Sequence, residues 1–233
     1  MNEQITLTVF TDPMMGLSYE SQPILDRLKV EYGERLQIDY VMSVLVRDVS
    51  DFMTLEERVL PPEEGIRRYN QRLAGIYKSE ESIGSLPMNM ENFHLFDPDH
   101  RSSYPLCLAY HAAKLTAPEK EEQFLINLRK ATVLQGRITT HQEVILEIVK
   151  ETGVDENTFI IHFRDGSAES ALEKDRLLAQ RLGVHALPAY LLTYQKSSFL
   201  LPFLTEFSTF SSQIDQMINK KNHKITTPNG SRS

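Results

Sequence analysis

Few residues in this chain are equipped for covalent chemistry. Its 233 residues include one cysteine, Cys107. A single thiol cannot close an internal disulfide or build a metal cluster. Cys107 sits in Tyr104-Pro-Leu-Cys-Leu-Ala-Tyr-His-Ala-Ala-Lys-Leu115, an apolar helical pattern opened by Pro105. It therefore reads as a small buried hydrophobe, as most free cysteines are. A reactive thiol wants cationic neighbours or a helix N-terminus, and the position of Cys107 close to a helix start keeps that alternative open. His94, His100, His111, His141 and His162 show no paired zinc-ligand spacing, and Asp97-Pro98-Asp99-His100 reads as a turn, so no metal is expected. No phosphate-cradling glycine loop and no hydrolase nucleophile motif is present. The stretch that stands out is Phe10-Thr-Asp-Pro-Met-Met-Gly-Leu-Ser-Tyr19, rich in adaptable methionine and lacking any strong nucleophile.

The elements around it place that stretch at a strand-to-helix junction. Thr6 to Thr11 reads as a strand. An amphipathic helix follows with Ile24, Leu25, Leu28 and Tyr32 on one face, ending at Gly33. Leu36, Ile38, Tyr40 and Met42 alternate along a second strand, which suggests a right-handed parallel βαβ unit. Pro23 poses a local conflict, since first-turn proline rules start the helix near Ser21. The middle of the chain is helical: 55–77 interrupted by Pro61-Pro62, an irregular stretch over 84–103, and then further helices. Among these, 121–134 carries Phe124, Leu128 and Ala131 on one face. Thr140 and Glu143 form a capping-box pattern, and Asp155 and Ser167 are candidate caps. Ala189 to Thr193 and Ser198 to Leu201 read as a hairpin, followed by a helix over 208–218 and a polar tail.

Bulk properties exclude several classes of function. Hydrophobic content of 41% and charge of 24% are ordinary for a globular protein. A net charge of −7 makes nucleic acid and anionic membrane poor partners. No apolar run approaches the roughly 20 residues needed to span a bilayer. The first residues, Met-Asn-Glu-Gln-Ile-Thr, lack a basic n-region and an apolar h-region, so a cytoplasmic location is expected.

The strand-to-helix junction resembles the DsbA family of the thioredoxin superfamily, whose Asp-Pro-x-Cys-x-x-Cys-Tyr it matches at Asp12, Pro13 and Tyr19. On that alignment Met15 and Ser18 stand where the family has its two cysteines. Gly183-Val-His-Ala-Leu-Pro-Ala-Tyr-Leu-Leu192 resembles the family's Gly-Val-x-Gly-Thr-Pro segment, whose proline is cis and faces the active-site loop. Leu187–Pro188 is the corresponding bond, and cis is chemically open only to X-Pro at modest cost. The resemblance starts the first helix near Met15 and makes Pro23 a kink.

It also implies an α/β fold: a thioredoxin-like core (β-α-β plus α-β-β-α) from residues 1–48 and 166–219. An all-helical DsbA-type insertion over 49–165 and a disordered tail over 220–233 complete the division. Shorter matches are Leu28-Lys-Val-Glu-Tyr-Gly33, Tyr40-Val-Met-Ser43, Ser103-Tyr-Pro105 and Ala112-Ala-Lys114. They resemble the cytosolic branch that includes Clp-protease adaptors of the SpxH kind and the FrnE-like dithiol isomerases.

Disulfide exchange needs a thiolate and a resolving thiol. Met15 cannot ionise, and Ser18 is too weak an acid without a dedicated base. His185, just ahead of Pro188, could approach the corner; the alternative is a surface histidine. The expectation is a scaffold without catalytic residues and without a cofactor. Its groove of Asp12, Pro13, Met14, Met15, Leu17, Ser18, Tyr19, Leu187 and Pro188 would hold an extended peptide or protein client alongside the Pro188 strand. The same methionines could instead pack against the insertion. The enzymatic alternative is a glutathione-dependent transferase or isomerase resembling the kappa-class and 2-hydroxychromene-2-carboxylate kind. There the catalytic serine aligns with Met15 rather than Ser18. A residual oxidoreductase through Cys107 is the third reading. Neither the client nor the oligomeric state is legible.

Overall fold

The computed structural model describes residues 4–84, 86–202 and 205–225. The chain opens with β1 (Ile5–Thr11), α1 (Gly16–Glu20), α2 (Gln22–Tyr32) and β2 (Leu36–Met42). Among the described residues there follow the α-helices α3 (Leu55–Arg58), α4 (Pro62–Gly84), α5 (Tyr104–Thr116), α6 (Glu121–Val133), α7 (Gln142–Thr152) and α8 (Glu156–Arg164). The chain then returns through α9 (Ser167–Arg181), β3 (Ala189–Tyr194), β4 (Ser197–Pro202) and α10 (Phe207–Ile225).

The four strands form one sheet in the order β2-β1-β3-β4. β1 runs parallel to β2 and antiparallel to β3, and β3 pairs antiparallel with β4. The period-two pattern decides the faces. Ile5, Leu7 and Val9 lie opposite Leu36, Ile38 and Tyr40 on one side and Tyr194, Leu192 and Tyr190 on the other. This face packs with Leu25 and Leu28 of α2 and Phe210 and Ile214 of α10. On the other face Phe10, Val41 and Ala189 pack with Ala179 of α9. The helices between β2 and α9 enclose a separate apolar cluster that includes Tyr77, Phe93, Phe124, Ile148 and Phe159.

The conflict at Pro23 resolves by division. α1 begins directly after Met15, and the helix breaks at Ser21 so that Pro23 falls in the first turn of α2, where its absent N–H costs nothing. The capping box expected at Thr140 and Glu143 does not form. Thr140 donates to the Leu95 carbonyl (2.6 Å), Glu143 pairs with His141, and His141 is the N-cap of α7. A capping box forms instead at Thr54 and Glu57. Asp155 caps α8 as expected, whereas Gly166, in the left-handed region, precedes α9 in place of a Ser167 cap. The last helix runs through Ile225, so residues 220–225 are helical rather than disordered; no Gly or Pro interrupts the chain before Pro228. The remainder of the expected tail, 226–233, lies outside the described residues.

Candidate functional site

The junction after β1 is built around Asp12, which has no solvent exposure. Its carboxylate accepts the Met14 N–H (3.0 Å), the Leu45 N–H (2.8 Å), the Ser103 hydroxyl (2.6 Å) and, more weakly, the Cys107 thiol (3.7 Å). Burial pushes the Asp12 carboxyl above its usual range, against the pull of these hydrogen bonds, that from Ser103 foremost. Asp12 thereby ties β1, the segment after β2 and the start of α5 into one corner. Met15 then acts as N-cap without a side-chain hydrogen bond, because a thioether offers no strong acceptor.

Behind the corner runs a buried polar chain. Arg129 of α6 donates to Thr11 (2.8 Å), Thr11 donates to Ser18 (2.7 Å), and Ser18 points its hydroxyl at the Met15 sulfur (3.9 Å). Arg129 is 1% exposed, and its Nε and Nη1 have no partner among the described residues. Burial lowers the guanidinium below its ordinary range, partly offset by the surrounding Tyr40, Tyr190 and Tyr110. Cys107 is also sealed: burial raises its thiol well above normal, and the Asp12 charge raises it further. Such a thiol stays protonated and unreactive at neutral pH.

Helix α4 closes the corner from outside. The Tyr77 hydroxyl donates to the Met14 carbonyl (2.6 Å), and Tyr19 donates to the Pro87 carbonyl (3.3 Å). Glu80 reaches over Gly16 so closely that a Cβ there would lie 2.1 Å from its Oε2. Burial and the nearby Glu20 raise the Glu80 carboxyl to about 7, against the Leu17 N–H.

The structure brings the sequence-predicted residues together but leaves them largely covered. Asp12, Pro13, Met14, Met15, Ser18, Tyr19 and Pro188 are buried, Met15 at 6% and Ser18 at 1% exposure, and only Leu17 and Leu187 are half-buried. Of the two readings for the groove lined by Met14, Met15, Leu17, Tyr19 and Leu187, packing against the insertion is the one that holds for Met14 and Tyr19. Met14 and Tyr19 belong to the apolar cluster of the intervening helices, so burial among those helices won over exposure. The Leu187–Pro188 peptide is cis. Phe10 lies opposite Ala189, which puts Pro188 at the mouth of the corner. β3 is paired on both edges, by β1 and β4, so a peptide cannot add alongside it.

His185 is exposed and lines a cavity of about 1300 Å³, together with Ser43, Arg47, Glu169, Glu173 and Arg176. Sequence reasoning did not find Tyr77, Glu80 or Arg129, and it met Ser103 only within the Ser103-Tyr-Pro105 match, without a role at this corner. All four sit on distant helices or their caps, and no spacing signal links them to residues 11–19.

A βα corner facing a cis-proline, carried on a β2-β1-β3-β4 sheet, defines a thioredoxin-fold protein, here with neither redox cysteine. The comparisons agree: residues 8–199 match the protein family described as Thioredoxin, and the chain belongs to that family. The ClpXP adapter protein SpxH of Shouchella clausii is 23% identical over 230 residues, covering 96% of this chain and 70% of that protein. Of three further SpxH relatives, from two Bacillus species and Halalkalibacterium halodurans, the chain spans only 55 to 58% of the length. Among solved structures, a putative protein disulfide isomerase from Nitrosomonas europaea superposes with a TM-score of 0.75 at 16% identity, over 94% of this chain and 99% of that one. A probable DsbA oxidoreductase from Streptomyces coelicolor superposes at 0.68 with 15% identity, over 99% and 94%. The fold is therefore of the DsbA type. No helix among the described residues is long and apolar enough to cross a membrane.

Proposed function

We propose that this chain is a redox-inactive thioredoxin-fold protein that binds a protein client as an adapter for a protease of the ClpXP kind. The observation that carries the reading is the corner itself. Where the fold places a thiolate there is a buried thioether, its neighbour Ser18 is buried, and the one thiol is sealed beneath Asp12. Relatives described as ClpXP adapter proteins supply the biological direction. The client surface in this reading is the cavity beside the proline loop, where His185, Arg47 and Arg176 meet Glu169 and Glu173. It replaces the sealed Met14–Met15 floor and favours a client segment of mixed charge. A cytoplasmic setting goes with it. The glutathione reading through Ser18 loses support, since a hydroxyl at 1% exposure offers a substrate thiol no approach.

The test is a photo-crosslinking residue placed at His185 in the full chain, with a control at exposed Ile161 of α8. The expected outcome is a protein captured from position 185 and not from 161. The half-life of that protein should lengthen when either this chain or ClpXP is removed. Equal capture at both positions, or unchanged half-lives, ends the adapter reading.

A further inference from the structure

A second cluster lies away from the corner, where the irregular segment before α5 meets the start of α7. Asp97, His100 and His141 each present a ligand atom there, all within 4.8 Å of one another. The Asp97 carboxylate is 3.0 Å from His100 Nδ1 and 2.6 Å from His141 Nε2. The two imidazole rings lie face to face at 3.9 Å, tilted by 31°. Asp97 and His141 are 44 residues apart, so the histidine spacing carried no signal of this meeting.

From this geometry we infer a binding site for a zinc-class divalent metal ion, held by Asp97, His100 and His141. Two imidazoles and one carboxylate form the donor set of such ions, whereas calcium and magnesium take oxygen ligands. Ligands about 2.0–2.1 Å from a tetrahedral centre stand roughly 3.3 Å apart, so the two carboxylate–imidazole gaps need to open by about 0.3 and about 0.7 Å. The supports behind the ligands are also in place. His141 directs Nδ1 at Glu143 (3.2 Å), completing a carboxylate–histidine–metal line that fixes the ring with Nε2 toward the ion. Asp97 accepts the backbone N–H groups of Asp99 and His100, both at 2.8 Å, which aims its carboxylate.

The framework on both sides is anchored. Buried Asn70 holds the two residues just before Asp97, accepting the Leu95 and Phe96 N–H groups and donating to the Phe96 carbonyl at 2.7 Å. The neighbour of His141, Thr140, is bonded to Leu95. Side-chain exposures of 34% for Asp97, 37% for His100 and 22% for His141 leave an entry path and a fourth coordination position open to solvent. With neutral imidazoles, Asp97 and Glu143 supply two negative charges, which a divalent ion balances.

The experiment is calorimetric titration of Zn²⁺ into the chelator-treated full chain, beside His100→Gln, His141→Gln, Glu143→Gln and the control His162→Gln. One ion per chain is expected. Affinity should fall at least about tenfold in the two ligand variants and about tenfold in Glu143→Gln, a positioning residue, while His162→Gln matches wild type. Should a variant fail to fold, imidazole nitrogen resonances of the wild type decide. Zn²⁺ must move those of His100 and His141 and of no other histidine. Equal affinity in all four variants, binding weaker than about 0.1 mM, or a shift confined to other histidines overturns the site.

Discussion

Glu80 sets the most direct quantitative test of how the corner is closed. Its carboxyl is held at about 7 because it is buried near Glu20 against the start of α1. The folded state therefore keeps a proton that the unfolded chain releases near its ordinary 4.5. Stability from this group is complete below about pH 4.5, declines as pH rises through 7, and is level above that. At about 1.36 kcal/mol per pH unit the full cost above pH 7 is roughly 3.4 kcal/mol. Partial exposure and sharing with Glu20 reduce it to about 1.5–3 kcal/mol. Glu80→Gln keeps the shape and removes the ionisation.

Urea unfolding of both proteins should show Glu80→Gln within about 0.5 kcal/mol of wild type at pH 4.5 and more stable by about 1.5–3 kcal/mol at pH 8.5. An equal difference at both pH values refutes the reasoning. So does a variant less stable than wild type at pH 8.5, because then the N–H groups at the start of α1 stabilise the ionised carboxylate by more than burial costs it.

Two further substitutions probe the same corner. Gly16→Ala places a Cβ on Glu80 and should drive that carboxylate toward water. The expected result is a loss of about 1 kcal/mol at pH 4.5 and less than half the wild-type pH dependence, read from the same titrations. A wild-type pH profile in Gly16→Ala would show that Glu80 does not lie over the helix start. Met15→Cys with Ser18→Cys should close into a disulfide on mild oxidation, since positions three apart at the start of α1 lie one above the other. Insulin reduction should nonetheless stay within about threefold of wild type, because α4 denies a bulky substrate access. Vigorous turnover by that double variant would mean that the corner opens freely.

The strands and the parallel pairing of β1 with β2 were legible, the latter strand from the alternation of Leu36, Ile38, Tyr40 and Met42, whereas their register came only with the structure. The cis bond lay where the residues around Pro188 pointed. Exposure was not legible. Met14, Met15 and Tyr19 look alike in sequence whether they floor a groove or fill a core, and what covers them arrives from Tyr77 and Glu80 on α4. The Thr140 and Glu143 pattern failed for a related reason. Local capping lost to longer-range partners, Leu95 for Thr140, while Glu143 turned to His141. The chemistry of Asp97, His100 and His141 was hidden by the same limit, since only folding brings the 97–100 turn against the start of α7.

The lone thiol beneath Asp12 gives the molecule a property of practical use. A group with no solvent exposure, kept in its protonated form, reacts with an alkylating reagent only when the surrounding helices part. The rate at which Cys107 is modified in the native protein is therefore a clock for how often α5 lifts away from the sheet. It also means that, while that helix stays in place, an oxidant in solution meets no exposed thiol on this chain.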